Sequence, residues 1–286
     1  MNILYIGSSG ALSLIPFKKL LSSNYLISAV GVFNPIVLDG KVIAIENESL
    51  SLAANQNNIQ IIDLSQPIDT IVQQCQSLSV DIILMSCYSK HLPEAIVKFP
   101  VLGCYNLHPS LLPAYRGPEP VFWQMKAAAD IGVSWHKVVH DYDAGDICKQ
   151  KKVITDEGAS YADLNQQLAR VGAELMLDLL LDCSMGNQSA NSQNPELSSY
   201  YPFPRRKDFV VDTQWSAQHA YNFICATYVF GYAHYCSVDD WSYVLVEAVD
   251  YDNNASLDGV EVQGDRVYIP FKEGLLIARY TDKIHT

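Results

Sequence analysis

Closely spaced cysteine pairs are absent from this 286-residue sequence, and so are cysteine–histidine clusters with the spacing of zinc ligands. An odd number of scattered cysteines argues against a disulfide framework. We therefore expect reduced thiols, several of them buried, and no metal site. The seven cysteines are Cys75, Cys87, Cys104, Cys148, Cys183, Cys225 and Cys236.

Long apolar runs are also missing. No stretch is long enough to cross a bilayer, and no basic segment precedes the apolar residues 2–6. We therefore expect neither a transmembrane helix nor a signal peptide, and we predict a cytoplasmic protein that does not contact membranes.

Positive charge is scarce. The chain has 19 Lys and Arg against 31 Asp and Glu, which gives a net charge of −12. An acidic protein attracts phosphate backbones poorly, so we do not expect a nucleic-acid partner. Hydrophobic residues make up 49% and charged residues 17%, a balance that favours a packed core over disorder. The length allows two domains.

The first residues have the order of an open α/β sheet. Apolar residues 2–6 predict a strand, Gly7-Ser8-Ser9-Gly10 a turn and residues 12–21 a helix. Because this turn lacks GxGxxG, we interpret it as a tight strand-to-helix connection and not as a dinucleotide site. Further strands are predicted at 26–33, 60–64 and 81–87, the last as apolar as a buried parallel strand.

Polar residues with catalytic chemistry follow the next strand. Asn106 and His108 alternate with apolar neighbours, and Pro109 ends the run. A second strand over 133–139 leads to the turn at Asp143, whose carboxylate could close over this pair. An amide can donate to an oxyanion, an imidazole can exchange a proton, and a carboxylate can orient the imidazole. These groups suit acyl transfer, although each one alone is as typical of a strand edge or a turn.

Three segments together carry a family resemblance. NLHPSLLP at 106–113, YRG at 115–117 and DAG at 143–145 resemble the 10-formyltetrahydrofolate-dependent formyltransferases, over roughly residues 1–180. That family includes methionyl-tRNA formyltransferases, glycinamide ribonucleotide transformylases and sugar-nucleotide N-formyltransferases. The resemblance implies that Asn106, His108 and Asp143 are the catalytic trio of an enzyme. It also implies 10-formyltetrahydrofolate as co-substrate, with no metal.

Further site residues follow from the resemblance. The family holds the pterin ring of folate at the carboxyl ends of the strands, which implies seven contacts here, although Met85, Cys87 and Leu92 suit core packing equally well. Ser110 and Arg116 are the candidate contacts to the acceptor. A turn-stabilising hydroxyl and a loop-fixing ion pair are the respective alternatives. The implied folate contacts are Met85, Ser86, Cys87, Tyr88, Leu92, His140 and Asp141.

The predicted architecture is α/β. An open, mostly parallel Rossmann-like sheet, the formyltransferase fold, is expected in residues 1–183, which end in a helix over 160–182. The polar residues 184–207 are expected to form a flexible linker. Residues 208–286 are expected to form a small OB-like domain with a helix over 215–229 and a β-barrel-like unit. Its strands are predicted at 243–249, 259–263, 266–270 and 274–280.

The acceptor of the implied reaction is a primary amine. The tRNA enzymes of the family carry a basic insertion after the second strand, whereas residues 34–51 here hold one cation, Lys41, against three acids. From residue 205 onward, the sequence has seven cationic residues and twelve acidic ones. We therefore favour a small acceptor such as an amino sugar on a nucleotide.

Several alternatives stay open. Methionyl-tRNA formyl transfer, hydrolysis of formylfolate and folate binding without catalysis are the other functions that this sequence allows. The cations at 205–207 are candidates to face the acceptor, and a homodimer is among the allowed oligomeric states.

Overall fold

A computed structural model describes residues 1–33, 37–38, 41–42 and 49–285. Most of the loop predicted over 34–51 lies outside the described residues. The elements up to residue 152 are β1 (Asn2–Gly7), α1 (Ala11–Leu21), β2 (Leu26–Val32), β3 (Val37–Leu38), β4 (Lys41–Val42), α2 (Leu50–Gln56), β5 (Ile61–Asp63), α3 (Ile68–Ser77), β6 (Ile82–Ser86), α4 (Glu94–Val97), β7 (Cys104–His108), α5 (Pro120–Lys126), β8 (Gly132–Lys137) and β9 (Ile147–Lys152).

The remaining elements begin with a long helix and end with antiparallel strands. They are α6 (Tyr161–Ser184), β10 (Val210–Val211), α7 (Ala217–Thr227), β11 (His234–Val238), β12 (Trp241–Asp252), β13 (Glu261–Gln263), β14 (Arg266–Pro270) and β15 (Leu275–His285). Short 3₁₀ helices lie at Pro195–Leu197, Arg206–Asp208 and Tyr228–Phe230.

The first sheet has seven strands in the order β5-β2-β1-β6-β7-β8-β9. The five strands from β5 to β7 are parallel, whereas β8 and β9 each run antiparallel to the preceding strand. This confirms the predicted mostly parallel α/β sheet. The chain moves outward in one direction from β1 to β5 and in the other from β6 to β9. The carboxyl ends of β1 and β6 therefore mark the switch point, the place where open α/β sheets typically bind ligands.

Apolar side chains cover both faces of this sheet. The central β6 is buried along its whole length, as its uninterrupted apolar sequence predicts. Leu4 packs in one core cluster with Ile71 of α3, whereas Tyr5, its neighbour on the other face, packs against Phe17 of α1 at 5.6 Å between ring centroids.

The glycine turn after β1 connects strand and helix tightly. A Cβ atom added to Gly7 would lie 2.1 Å from Ser13 Oγ, and this hydroxyl accepts a hydrogen bond from Ser8 N–H at 3.0 Å. Gly10, with φ of 82°, adopts the left-handed conformation that favours glycine just before α1. These contacts agree with the interpretation of the turn as a connection.

The second sheet has six strands in the order β10-β11-β12-β15-β14-β13. Its core joins Phe209, Leu245 and Ile269 to Phe223 of α7 and to Phe122 of α5. A second, smaller sheet is confirmed, but β10 and β13 are edge strands among the described residues and do not close a barrel with each other. Strand β11 was not predicted, since its sequence HYCSV is short and includes the polar residues His234 and Ser237.

The described chain falls into two compact units that are discontinuous in sequence. One unit is Met1–Pro118, Asp130–Val153 and Asn165–Tyr201, and the other is Glu119–Ala129, Ile154–Leu164 and Pro202–Thr286. The predicted domains at 1–183 and 208–286 stay a prediction. Residues 184–201 lie in the first unit, although they were predicted to be linker.

Within the described ranges, no helix is both long enough and apolar enough to cross a membrane.

Candidate active site

Three polar side chains meet at the carboxyl end of β7. Asn106 and His108 alternate along the strand, and Asp143 follows β8 on a turn. Oδ1 of Asp143 lies 3.5 Å from His108 Nδ1 and 3.5 Å from Asn106 Nδ2. The structure therefore brings together the three residues that the sequence singles out.

The Asp143 turn has a constrained backbone. Asp143 itself has φ of 53°, a left-handed conformation that costs a non-glycine residue roughly 1 kcal/mol or more. A Cβ atom on Gly145 would lie 1.9 Å from the carbonyl oxygen of Lys137, so only glycine fits there. The sequence DAG thus places a carboxylate at a position that the neighbouring backbone fixes.

The Asp143 carboxylate is held in its ionised form. Burial raises its pKa, but the attraction of the His108 ring when that ring is protonated, the His136 side chain and the backbone N–H of Gly117 outweigh burial and hold this pKa well below the usual range. The Gly117 N–H donates to Oδ2 at 2.9 Å, and this donor persists whatever the charge of His108.

Burial favours the neutral form of His108. Burial lowers its pKa, and the opposing effects of Asp143 and of the Tyr115 carbonyl do not cancel that lowering. Its Nε2 lies 2.8 Å from the Tyr115 carbonyl oxygen, and a carbonyl only accepts, so Nε2 carries the hydrogen. In the neutral ring, Nδ1 is then the basic nitrogen, and it faces Asp143.

His136 is a site residue that the sequence analysis missed. It pairs with Asn106 across the antiparallel β7/β8 ladder and is 2% exposed. Its Nε2 lies 3.2 Å from Asn106 Nδ2 and 3.4 Å from Asp143 Oδ1, while Nδ1 lies 2.8 Å from the Lys137 carbonyl oxygen. Ser134 and His136, two polar residues that alternate along a strand buried from its first to its fifth residue, were the available signal.

A cleft opens beside these residues. It encloses roughly 430 Å³ of space that is open to solvent, and Asn106, His136 and Asp143 lie on its wall. Five of the seven candidate folate contacts line it, namely Met85, Tyr88, Leu92, His140 and Asp141. Residues not anticipated from the sequence complete the lining: Lys90, His91, Val138, Val139 and Tyr142.

The other two candidate folate contacts are not among the described residues that line this cleft. Ser86 is fully buried and donates its hydroxyl to the carbonyl oxygen of Leu12 at 2.7 Å, toward helix α1. Cys87 is exposed with φ of 55°, and its carbonyl oxygen accepts from the Ser8 hydroxyl. Their contact with folate stays a prediction that no observation here supports.

The two candidate acceptor contacts have intramolecular partners. Ser110 is buried and donates its hydroxyl to the Ala114 carbonyl oxygen at 2.8 Å, as a turn-stabilising serine does. Arg116 donates from Nε and from a terminal nitrogen to Gln193 Oε1, at 3.0 and 2.6 Å. Arg116 therefore holds a loop, as in the alternative reading, but its partner is a neutral amide and not an acid, and its contact with the acceptor stays a prediction. Among the described residues, no group of three His, Cys, Asp or Glu side chains could hold a metal ion.

Comparison with known proteins identifies the family. The family model described as formyl transferase matches residues 20–180, more than half of the chain. The chain therefore belongs to the formyl transferase family, as the three sequence segments predicted.

Among curated proteins, the methionyl-tRNA formyltransferase of Thermotoga maritima is 33% identical over 152 residues, which cover 53% of this chain and 49% of that protein. The chain thus spans about half the length of this curated relative. The methionyl-tRNA formyltransferase of Carboxydothermus hydrogenoformans is 28% identical over 79% of this chain and 73% of its own length.

Solved structures share the fold over the whole chain. WlaRD, a sugar 3N-formyl transferase crystallised with dTDP and 5-N-formyl-THF, superposes with a TM-score of 0.70 at 19% identity and covers 99% of both chains. An N-formyltransferase from Helicobacter canadensis, in complex with folinic acid and dTDP-3-aminofucose, gives 0.70 at 16% identity over 98% of both chains. At these identities, the likeness establishes the formyltransferase fold.

Proposed function

We propose that the protein transfers a formyl group from 10-formyltetrahydrofolate to the primary amine of a small acceptor, an amino sugar carried on a nucleotide. The observation that carries this proposal is the convergence of Asn106, His108 and Asp143 beside a cleft. Membership of the formyl transferase family supports it independently.

The cleft is suited to a flat, polar ring. Met85, Leu92 and Val138 give it apolar walls, and Asp141 adds a carboxylate. Binding of the pterin ring here would place the formyl group next to Asn106 and Asp143.

The bond changes are those of acyl transfer between nitrogens. The acceptor amine attacks the formyl carbon, a new C–N bond forms, and the bond from carbon to the folate nitrogen breaks. Negative charge builds on the formyl oxygen between these two events. An amide nitrogen has two hydrogens, so Asn106 can contact Asp143 or His136 with one and the oxyanion with the other. One such donor is typically worth about 3–4 kcal/mol.

The proton lost by the amine must reach the departing folate nitrogen. His108 is not among the described residues that line the cleft, so an ordered water would carry the proton to its Nδ1, the available base. The ionised Asp143 stabilises the imidazolium that forms. The protonated ring then strengthens the electrostatic stabilisation of the oxyanion and returns the proton to the leaving nitrogen. A covalent enzyme intermediate is not required.

A small acceptor fits the charges of the second unit better than tRNA does. From residue 205 onward, the chain has twelve acidic residues and seven cationic ones. Several of these cations also have partners: Arg206 donates to the Tyr235 hydroxyl, and Arg279 lies 3.1 Å from a Glu247 oxygen. Binding of a phosphate backbone needs a clustered positive surface.

Methionyl-tRNA formyl transfer is the second candidate, because curated relatives at 33% and 28% identity have that name. The two acceptors predict different salt responses. Transfer to tRNA should weaken steeply between 50 and 200 mM salt, whereas transfer to a nucleotide sugar should change little.

The test is formyl transfer measured by mass spectrometry, with 10-formyltetrahydrofolate and a panel of amino-sugar nucleotides chosen by thermal shift. We expect one nucleotide sugar to stabilise the protein and to become formylated. Formylation of Met-tRNA alone, or release of free formate without any acceptor, would refute the proposed acceptor.

His108→Asn is the matching variant. It should abolish transfer while tetrahydrofolate still binds, since His108 acts on protons and does not line the cleft among the described residues. An unchanged transfer rate in this variant would refute the mechanism and favour folate binding without catalysis.

A further inference from the structure

Backbone hydrogen bonds attach the polar segment after α6 to two stretches of chain beside the candidate site. We call residues 191–201 the strap. At one end, Asn191 and Ile147 exchange two backbone hydrogen bonds of 2.8 and 2.9 Å, directly after the Asp143 turn. At the other end, the carbonyl oxygen of Ser199 accepts from Arg116 N–H at 2.9 Å, and Tyr201 N–H donates to the Arg116 carbonyl at 3.0 Å.

Gln193 lies between these two ends, and its amide is fully used. Nε2 donates to the carbonyl oxygens of Asp143 and Gly145, both at 2.7 Å. Oε1 accepts twice from Arg116, at 3.0 and 2.6 Å. An amide side chain has two hydrogens and two lone pairs, so these four bonds satisfy all of them.

The two hydrogen bonds that Gln193 donates to the carbonyl oxygens of Asp143 and Gly145 hold the strained part of the Asp143 turn. Asp143 is left-handed at φ of 53°, and such a conformation persists only where its surroundings enforce it. Gly117 N–H fixes the Asp143 carboxylate from one side, and Gln193 fixes the backbone on either side of Ala144. The direction in which the carboxylate points thus depends on Gln193.

We propose that Gln193 is a positioning residue for formyl transfer, which keeps the Asp143 carboxylate aimed at His108 and couples the strap to the active site. This role rests on the proposed function. The strap is then part of the catalytic machinery and not a spacer. Arg116 contributes to the same positioning role, because its two hydrogen bonds to Gln193 keep the amide oriented toward the turn.

The test compares two isosteric variants with the wild-type chain. Gln193→Met removes all four hydrogen bonds, and Gln193→Glu keeps an acceptor for Arg116 but cannot donate to the two carbonyls. Both should lower kcat by about 10- to 100-fold, because a displacement of about 1 Å at a catalytic group has that effect. The KM for formyltetrahydrofolate should stay within about twofold, since Gln193 does not line the described cleft.

Gln150→Met is the matched control. Gln150 also donates its amide to two oxygens in the first unit, those of Leu112 and Ser134, each at 2.8 Å. Gln150→Met therefore loses two donated hydrogen bonds, the same number that Gln193→Glu loses, without touching the Asp143 turn. An equal fall in kcat in Gln150→Met would show that Gln193 acts only through stability and would overturn the proposal.

A second readout does not require turnover. The groups that face His108 are Asp143, His136, Arg116 and the Tyr115 carbonyl, and of these Asp143 and Tyr115 oppose the lowering of its pKa by burial. If Asp143 swings away in Gln193→Met, the pKa of His108 should fall further, as measured by NMR titration of labelled imidazole. An unchanged pKa of His108, with kcat also unchanged, would overturn the inference.

The two proposals fail in different ways. If wild-type protein formylates no acceptor, the proposed function fails, while the NMR titration still tests the link from Gln193 to Asp143. If wild-type protein is active and both Gln193 variants match it in kcat, only the positioning role fails.

Discussion

Asn106 and His136 face each other across the β7/β8 pair, with 3.2 Å between Asn106 Nδ2 and His136 Nε2. The same His136 nitrogen lies 3.4 Å from Asp143 Oδ1. A residue that the sequence analysis passed over therefore contacts two members of the candidate trio.

We expect His136→Ala to lower kcat by about 10- to 100-fold, because Asn106 and Asp143 lose a shared partner. His136→Gln should recover part of the rate, since its amide can both donate and accept. Steady-state kinetics of the two variants check this, with His285→Ala, an exposed histidine of the second unit, as control. Equal activity of His136→Ala and the control would contradict the assignment.

Because Asp143 is ionised in the folded chain, the free energy of unfolding should depend on pH in the acid range. Its pKa in the folded state lies below the value of about 3.9 in an unfolded chain, so its contribution is present above about pH 4. That contribution is lost as the pH falls toward the folded pKa. The free energy of unfolding, from urea titrations between pH 5 and pH 3, should therefore fall more steeply in wild type than in Asp143→Asn.

Asp130→Asn provides the comparison for that experiment. Asp130 pairs with Lys152 at 2.6 Å, but both side chains are more than half exposed, so solvent screens the pair. Its acid dependence should match that of wild type. If the unfolding free energy of Asp143→Asn falls with pH as steeply as that of wild type and of Asp130→Asn, the partners of Asp143 do not stabilise its ionised form.

Gly145→Ala should disrupt the catalytic turn. The added Cβ would meet the Lys137 carbonyl oxygen at 1.9 Å, so the backbone must move, and Asp143 moves with it. We expect a loss of kcat of about 100-fold or more. Gly259→Ala is the control because a Cβ there meets nothing within 4 Å. Full activity of Gly145→Ala would mean that the turn position does not matter for transfer.

A buried histidine outside the candidate site should destabilise the second unit in mild acid. His234 Nε2 lies 2.7 Å from the Thr227 hydroxyl, its Nδ1 has no hydrogen-bond partner among the described residues, and burial lowers its pKa to about 4. An unfolded histidine has a pKa near 6.5, so the unfolded state binds a proton first as the pH falls. Between pH 7 and pH 5, this costs about 2 kcal/mol of unfolding free energy.

Denaturant titrations at these two pH values test the effect, with His234→Gln as the variant that cannot titrate. The loss of stability from pH 7 to pH 5 should be smaller in His234→Gln than in wild type. Equal losses would show that His234 is already charged, or already solvated, in the folded chain.

The sequence alone determined the fold class, the family and the three central side chains. Strand periodicity and the apolar run over 82–85 specified a parallel sheet, because local pattern decides which residues can be buried in a strand. Pro109 marked the end of β7, and DAG marked a turn. Each of these signals lies within a few residues of the feature that it predicts.

Only the tertiary structure decided what surrounds the trio. His136 meets Asn106 through strand register, and Gln193 reaches the Asp143 turn from a segment whose polar composition predicted a linker. Both contacts join residues that are 30 or more positions apart, and the fold sets such distances, whereas composition and periodicity report only on neighbours along the chain.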